Sequence, residues 1–282
     1  MISLLEVLES LAAHLVASHI GNPRRQAEEL LCDVLGCTRL QLFMNFEKPI
    51  ESVEWHLCQE RLQRRLTGEP LAYIQGSVEF YGCLIKVAPT TLIPRQETEI
   101  LVDKIVQQLA KETLVDKTLL DLCCGSGCIG IALKKRLPAL QVVLADISPA
   151  ALAMARENAV ANQVHVQLVQ GDLLAPFQAH QFDYFVCNPP YISEAEYATL
   201  DKEVKDFEPK LALVSGKTGV EFYEQLATEL PRILKRGGRG WFEIGYTQGG
   251  LIRELFSGGS WQDPCVEKDW AGHDRFFSVK RC

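Results

Sequence analysis

The chain has 282 residues, of which 47% are hydrophobic and 23% charged. These proportions are ordinary for a soluble globular protein, and the chain is long enough for two domains. Its formal net charge of −7 argues against nonspecific binding to nucleic acid over a broad surface, because such binding needs a basic surface. No apolar run approaches the roughly 18 residues of a membrane span, and the first residues lack the basic lead of a signal peptide, so we expect a cytoplasmic protein.

Ten cysteines are scattered along the chain without a Cys-x-x-Cys pair, and the six histidines show no ligand spacing. In a cytosolic protein such cysteines are typically reduced thiols that behave as small apolar residues. We therefore predict no metal site.

Residues 1–70 form the first predicted domain, a small helical bundle. Apolar residues recur there at helical spacing, as in Leu4, Leu8 and Leu11, with no strand-like alternation between them. Gly-Asn-Pro at 21–23 is a typical signal for the end of one helix and the start of the next.

The segment 71–94 changes character. Its short apolar and aromatic runs are interrupted by Gly76 and Gly82 and closed by two prolines, a pattern typical of a β-hairpin that links two domains. Strand and helix patterns then alternate through residues 95–282, as expected for a parallel sheet covered on both faces. The predicted fold class is therefore α/β, with a helical bundle before it.

A glycine-rich turn lies between a predicted strand, Thr118 to Leu122, and a predicted helix, Cys128 to Leu137. Its Gly-x-Gly-x-x-Gly spacing lets a ligand approach bare backbone near a helix N-terminus. The next strand, Gln141 to Ala145, is followed by an acid that can accept hydrogen bonds from both hydroxyls of an adenosine ribose. This order favours an adenosine-containing cofactor over a purely structural turn. The predicted cofactor contacts are Cys123, Cys124, Gly125, Ser126, Gly127 and Asp146.

Two more carboxylates border the predicted cofactor site. Asp121 directly precedes the glycine turn, where an acid suits the methionine tail of S-adenosylmethionine better than the pyrophosphate of a nicotinamide cofactor; the alternative is a carboxylate bonded to loop amides. Asp172 follows a third predicted strand, Val164 to Val169. The adenine edge would lie there, although a turn-forming aspartate fits equally well.

The fourth predicted strand, Phe182 to Cys187, ends in Asn188-Pro189-Pro190-Tyr191, which cannot extend a sheet ladder. Asn188 would emerge beside the glycine turn, at the carboxyl ends of the strands, where open α/β sheets bind ligands. The Asn188 amide oxygen, the Pro189 carbonyl and the Tyr191 ring are predicted to clamp a planar group that carries an NH2. A rigid turn that simply ends a strand is the alternative.

Together with the helical N-terminus, four segments resemble the HemK/PrmC family: "EPLAYIQGSVEFYG" (69–82), "TLIPRQETEILV" (91–102), "LLDLCCGSGCIGIAL" (119–133) and "VCNPPYI" (186–192). The resemblance implies a class I S-adenosylmethionine-dependent methyltransferase, with a Rossmann-like sheet of seven strands and the last one antiparallel. Residues 239–245 and 274–280 are candidates for later strands. The family methylates the side-chain nitrogen of the glutamine in the Gly-Gly-Gln motif of peptide chain release factors.

The resemblance also implies roles for the two parts of the chain. The bundle and the hairpin would help to dock a release factor, with no direct contact to nucleic acid or membrane, and residues 95–282 would be the catalytic domain. Asn188, Pro189 and Tyr191 would be catalytic, and these three with Pro190 would bind the substrate. Arg95 and Glu97 border the expected substrate opening, or form an ordinary surface ion pair.

Three positions depart from the family pattern. Cys123 stands where many members carry glycine, Leu173 where some place an aromatic ring against the adenine, and Gln96 where proline is common. A small Cys fits a turn and Leu can pack on an adenine face, so the departures bear on affinity rather than on activity.

Three other functions are compatible with parts of this pattern. A glutamine methyltransferase that acts on a large-subunit ribosomal protein would share Asn-Pro-Pro-Tyr. A DNA adenine methyltransferase would use the same clamp on a flipped base, but would need a basic surface and a target-recognition insert. A noncatalytic cofactor sensor would have no use for an amide clamp beside a methyl donor.

Overall fold

The computed structural model describes residues 2–282. Its α-helices are α1 (Leu4–Ala17), α2 (Pro23–Leu35), α3 (Arg39–Phe43), α4 (Ser52–Leu66), α5 (Leu71–Gln75), α6 (Gln96–Leu109), α7 (Cys128–Arg136), α8 (Pro149–Ala161), α9 (Glu194–Thr199), α10 (Lys202–Phe207), α11 (Glu221–Ile233) and α12 (Gly249–Leu255). Its strands are β1 (Ser77–Phe80), β2 (Cys83–Lys86), β3 (Thr118–Leu122), β4 (Gln141–Asp146), β5 (Gln167–Gln170), β6 (Phe182–Cys187), β7 (Leu234–Glu243), β8 (Trp261–Lys268) and β9 (Asp274–Arg281).

These residues divide into two compact units. The first holds the residues up to Gly76 together with α10, and the second holds Ser77–Asp201 and Glu208–Cys282. In every helix that the structure describes, length or polarity falls short of what crossing a bilayer requires.

The first unit is a helical bundle. Its first helix begins at Ser3, whose side chain and that of Glu6 cap each other's backbone N–H groups, which satisfies donors that a helix start leaves free. One stripe of α1 is buried in the core of the bundle, as the helical spacing predicted. Helix α10 is distant in sequence but belongs to the same unit, where Glu203 pairs with the buried Arg65 at 2.7 Å.

The second unit is built on a seven-stranded sheet with the order β5-β4-β3-β6-β7-β9-β8. All neighbouring strands are parallel except that β9 runs antiparallel to both β7 and β8. The predicted α/β sheet of seven strands with an antiparallel last strand is therefore confirmed. Strand β8 escaped prediction, and β5 lies slightly later than the predicted third strand.

The strand order creates a ligand-binding edge. From β3 the chain moves outward through β4 and β5 and then returns to β6 on the other side of β3. Such a reversal leaves a crevice outside the carboxyl ends of the strands. The register pairs Leu122 with both Ala145 and Cys187, so the glycine turn, Asp146 and Asn188 all emerge at this edge.

The hairpin of β1 and β2 belongs to the second unit. Asn158 on α8 accepts from the Lys86 N–H at 2.7 Å and donates to the Lys86 carbonyl at 3.0 Å. One buried amide side chain thus takes the place of a neighbouring strand for the free edge of β2. The start of the predicted hairpin segment differs from expectation, since residues 71–75 form α5.

Candidate active site

A cavity of about 300 Å³ opens at the carboxyl ends of β3, β4 and β6. It gathers most of the residues that the sequence predicted for the site. Those that line it are Cys123, Cys124, Gly125, Ser126, Asp146, Asp172, Leu173, Asn188 and Pro190. The remaining predicted residues, Asp121, Gly127, Pro189 and Tyr191, lie outside the cavity wall.

The glycine turn depends on left-handed backbone at three positions. Cys123, Gly125 and Gly127 have φ values of 56°, 53° and 78°, a region that suits glycine and strains other residues. Gly127 caps α7, and a Cβ there would come within 3.0 Å of Ile131 and Leu144. Gly127 is therefore packed between the turn, α7 and β4, and it does not line the cavity.

Asp146 is the carboxylate that the turn holds most firmly within the cavity wall. Its Oδ2 accepts from the Gly125 N–H at 2.9 Å, and its Oδ1 accepts from the Ser148 N–H at 2.9 Å. Burial raises the pKa of Asp146, while these backbone donors act in the opposite direction. Both oxygens keep lone pairs for a ligand, as the ribose prediction requires.

Asp121 lies fully buried behind the turn. Its Oδ2 accepts from the Gly130 N–H at 2.8 Å, whereas its Oδ1 has no hydrogen-bond partner. Burial is the main cause that raises the pKa of Asp121 to about 7, and the charge of Asp146 adds to the rise. An unpartnered buried carboxylate oxygen is costly unless something else satisfies it.

The residues of Asn-Pro-Pro-Tyr alternate in direction. Asn188 and Pro190 line the cavity, whereas Pro189 and Tyr191 do not. Both prolines are buried, and the Tyr191 ring packs against the core of the sheet. Burial raises the pKa of the Tyr191 phenol, and the charge of Glu243 contributes to the rise. The phenol is therefore protonated at neutral pH.

Comparisons with known proteins match both parts of the chain. Residues 96–207 match the methyltransferase small domain, and residues 6–76 match the PrmC N-terminal domain. The release factor glutamine methyltransferase of Chlamydia trachomatis serovar D is 43% identical over 277 residues, which cover 98% of this chain and 93% of that protein. The chain belongs to the release factor glutamine methyltransferase family.

Two further comparisons extend the likeness. The release factor glutamine methyltransferase of Chlorobaculum tepidum is 40% identical and covers 98% of this chain and 96% of its own length. A methyltransferase structure from Pyrococcus furiosus, 18% identical with a TM-score of 0.53, covers 79% of this chain and 98% of that chain. The structural likeness shows the shared fold alone, whereas the sequence relatives confirm the resemblance to the HemK/PrmC family.

In this family member, sequence reasoning placed only Arg95 near one wall of the cavity and missed the other residues of that wall. Thr91, Leu92 and Arg95 line it from the segment before α6, and Leu211 and Phe222 line it from the chain after α10. No local motif marks these residues, because their contribution depends on chain folding over more than a hundred positions.

A buried carboxylate holds this wall together. Glu208 pairs with Arg95 and accepts from the Ile93 N–H at 3.1 Å. The Glu208 side chain is only 1% exposed, so removing Arg95 would leave a buried charge with one partner fewer. Arg95, which the sequence placed at the substrate opening, thus lies in the cavity wall.

Gln248 is a second residue that the sequence did not reveal. Its Nε2 donates to the Tyr191 carbonyl at 2.9 Å and to the Gly219 carbonyl at 3.1 Å, and its Oε1 accepts from the Gly245 N–H at 2.9 Å. One side-chain amide therefore ties the end of Asn-Pro-Pro-Tyr to two glycine loops. The glycines are required there, since a Cβ at Gly219 would lie 2.6 Å from the Tyr191 carbonyl oxygen.

Proposed function

We propose that this methyltransferase transfers the methyl group of S-adenosylmethionine to the side-chain nitrogen of the glutamine in the Gly-Gly-Gln motif of peptide chain release factors. The observation that carries the proposal is the placement of Asn188. Its amide side chain lies in the cavity wall, beside the glycine turn and one residue past the end of β6. The relatives that share nearly the whole chain bear the name release factor glutamine methyltransferase.

The residues at the cavity fit the proposed cofactor. Asp146 would accept hydrogen bonds from the ribose hydroxyls, and Leu173 with Asp172 would meet the adenine. Asp121 lies behind the turn, so its unpartnered Oδ1 would accept from the ammonium of the methionine part after a small shift of the turn. The cofactor supplies an activated methyl group on a sulfonium.

The protein has to position a poor nucleophile. A carboxamide nitrogen shares its lone pair with the carbonyl, so its orientation relative to the methyl group decides the rate. The Asn188 side-chain oxygen and the Pro189 carbonyl would accept the two N–H groups of the substrate amide. These acceptors fix the amide plane and stabilise the positive charge that develops on nitrogen. Two consecutive prolines keep the acceptors rigid.

No side chain has to remove a proton before transfer. The methylated nitrogen is strongly acidic and loses its proton to water. Because the Tyr191 ring packs against the core of the sheet, it would support the clamp from behind instead of lying against the substrate amide, and it would do so as a neutral phenol, in agreement with its raised pKa. We therefore expect methyl transfer to be insensitive to the titration of Tyr191 in the neutral range.

A folded protein substrate is a source of binding energy that free glutamine lacks. Remote contacts on a release factor can offset the cost of orienting the amide. We assign this docking role to residues 1–70, with 71–94 as the linker and 95–282 as the catalytic domain. Release factors act with the ribosome in the cytoplasm, so we place the enzyme there, with no direct nucleic-acid or membrane contact.

The test is incubation with labelled S-adenosylmethionine and, in parallel, purified release factor, large-subunit ribosomal proteins and duplex DNA. Mass spectrometry then locates the label, and Asn188→Ala is the control variant. Label on the Gly-Gly-Gln glutamine that is absent with Asn188→Ala would support the proposal. Label confined to ribosomal protein or DNA would refute the substrate, and cofactor binding without label anywhere would indicate a sensor.

A further inference from the structure

Two cysteine residues occupy neighbouring positions at the edge of the cavity. Cys187 is the last residue of β6 and pairs in register with Leu122, the last residue of β3. Cys123 follows Leu122 directly. Neighbouring strands lie about 4.8 Å apart, so the backbones of Cys123 and Cys187 are within the range that a disulfide spans.

The backbone at Cys123 keeps its side chain on the face of the sheet that carries Cys187. Side chains of successive strand residues point to opposite faces, so an extended Cys123 would face away from Leu122 and its partner. The φ of 56° at Cys123 breaks this alternation. Its side chain packs against the same core cluster that contains Leu122 and Cys187, so the Cys123 and Cys187 side chains lie on the same face of the sheet.

The two thiols differ in exposure. Cys123 lines the cavity, whereas Cys187 is completely buried. Burial raises the pKa of the Cys187 thiol well above its usual value, and the contact with Cys123 adds to the rise. A small oxidant that enters the cavity therefore meets Cys123 first, with a second thiol in place behind it.

We propose that Cys123 and Cys187 are a modification site, a thiol pair that hydrogen peroxide converts to a disulfide in the wall of the cavity. The Cys123 sulfur attacks one peroxide oxygen, the O–O bond breaks, and Cys123 becomes a sulfenic acid as water leaves. The Cys187 sulfur then attacks the Cys123 sulfur, the S–O bond breaks, and the leaving hydroxide takes the Cys187 proton as water. The two thiols lose two electrons and the peroxide gains them.

The disulfide changes the site at two points. It removes the free Cys123 side chain from the cavity wall, and it ties down Cys187, the residue directly before Asn188. Loss of methyl transfer on oxidation rests on the proposed function. Disulfide formation rests only on the placement of the two thiols.

The experiment treats the full-length protein with hydrogen peroxide, blocks remaining thiols, and maps cross-linked peptides by mass spectrometry. We expect a Cys123–Cys187 peptide pair whose mass is lower by two hydrogens and which dithiothreitol separates. The chain contains an internal comparison, because Cys32 and Cys37 in the bundle are also neighbours, with a backbone hydrogen bond of 3.0 Å from the Cys37 N–H to the Cys32 carbonyl. Oxidation that links only Cys32 to Cys37, or that links neither pair, would overturn the proposal.

The variant Cys187→Ala distinguishes a paired thiol from a lone one. Without Cys187 the sulfenic acid at Cys123 cannot resolve, so peroxide should add two or three oxygens to that peptide irreversibly. Dithiothreitol should then restore methyl transfer in the wild type but not in Cys187→Ala. Equal recovery of both proteins would contradict the pairing. A melting curve checks that the variant is folded before oxidation.

S-adenosylhomocysteine separates this proposal from the proposed function. At about ten times its Kd the ligand should slow formation of the Cys123–Cys187 disulfide about tenfold, since Cys123 lines the cavity. A disulfide that forms at an unchanged rate would leave the thiol pair established and would refute the predicted cofactor site. If peroxide formed no disulfide in the free protein but S-adenosylhomocysteine protected Cys123 from alkylation, the result would support the cofactor site and refute the thiol pair.

Discussion

Gly130 permits the close approach of α7 to the sheet. A Cβ at this position would lie 2.2 Å from Leu144 Cδ2, 2.9 Å from Asp121 Oδ2 and 3.1 Å from Val142 Cγ1. Leu144 is completely buried on β4, so it has no open space into which to move. The substitution Gly130→Ala should therefore push α7 away from the sheet.

The cost of Gly130→Ala follows from opposing terms. Alanine gains up to about 1 kcal/mol over glycine in a helix, whereas overpacking a core costs about 1–3 kcal/mol. Moving α7 also lengthens the 2.8 Å bond from the Gly130 N–H to Asp121, and weakening a hydrogen bond to a buried carboxyl costs about 1.5–3 kcal/mol. We expect a net destabilisation of about 2–4 kcal/mol, which lowers the Tm by roughly 5–10 °C for a unit of this size.

Thermal melting tests this prediction with a matched control. Gly250 also lies in a helix, α12, but a Cβ there would meet nothing within 4 Å. Gly250→Ala should leave the Tm unchanged or raise it by about 1 °C. If Gly130→Ala melted at or above the wild-type temperature, the tight contact between α7 and β4 would not exist in solution.

Three further predictions concern the site. Gln248→Ala should lower kcat at least tenfold with a smaller change in KM, because the variant releases the Tyr191 carbonyl. Steady-state kinetics on a release factor measures kcat and KM separately, and an unchanged kcat would exclude a positioning role for Gln248. The pKa of Asp121 near 7 predicts that the affinity for S-adenosylhomocysteine falls as pH drops below 7, by up to tenfold per pH unit, because the ligand ammonium needs the ionised carboxylate. Calorimetry on the wild type and on Asp121→Asn measures this dependence, and a wild-type affinity that does not change with pH would contradict the prediction. Cys123→Gly should raise the Tm by about 2–4 °C, because it removes the left-handed strain of about 1–2 kcal/mol; a lower Tm would show that thiol packing outweighs the strain.

The raised pKa of Asp121 also sets the sign of its effect on stability. The folded-state pKa of about 7 lies above the ordinary 3.8, so the folded protein binds more protons than the unfolded chain between these values. Its contribution to the free energy of unfolding therefore falls as pH rises from about 4 to 7. A bound ammonium would reverse this, because it stabilises the ionised form.

Strands bounded by clear signals were predictable to the residue. Strands β3 and β6 have the predicted limits, since each is a mostly apolar run that stops at a glycine turn or at a proline pair. Strand β8 was missed because it carries charged residues and Pro264 and pairs with β9 alone. An edge strand has no need of the buried pattern by which strands are recognised.

The residues of the candidate site were predictable where they lie close together in the sequence. The turn residues and Asp146 follow one another within a single strand, turn, helix and strand unit, so their meeting needs no long-range information. Arg95 and Glu208 are 113 positions apart. Only the folded chain brings them together, and neither residue has a local pattern that distinguishes it from a surface charge.

The alternation within Asn-Pro-Pro-Tyr explains how a four-residue motif divides its roles. A residue that precedes proline favours extended backbone, and extended backbone sends successive side chains in opposite directions. Asn188 and Pro190 therefore line the cavity, while the Tyr191 ring packs against the core and Pro189 is buried outside the cavity wall. Pro189 can still serve the site, because its proposed contribution is a backbone carbonyl. Tyr191 keeps its carbonyl bound to Gln248, so the residue that ends the motif also anchors it, and the acceptors at Asn188 and Pro189 stay in place without a ligand.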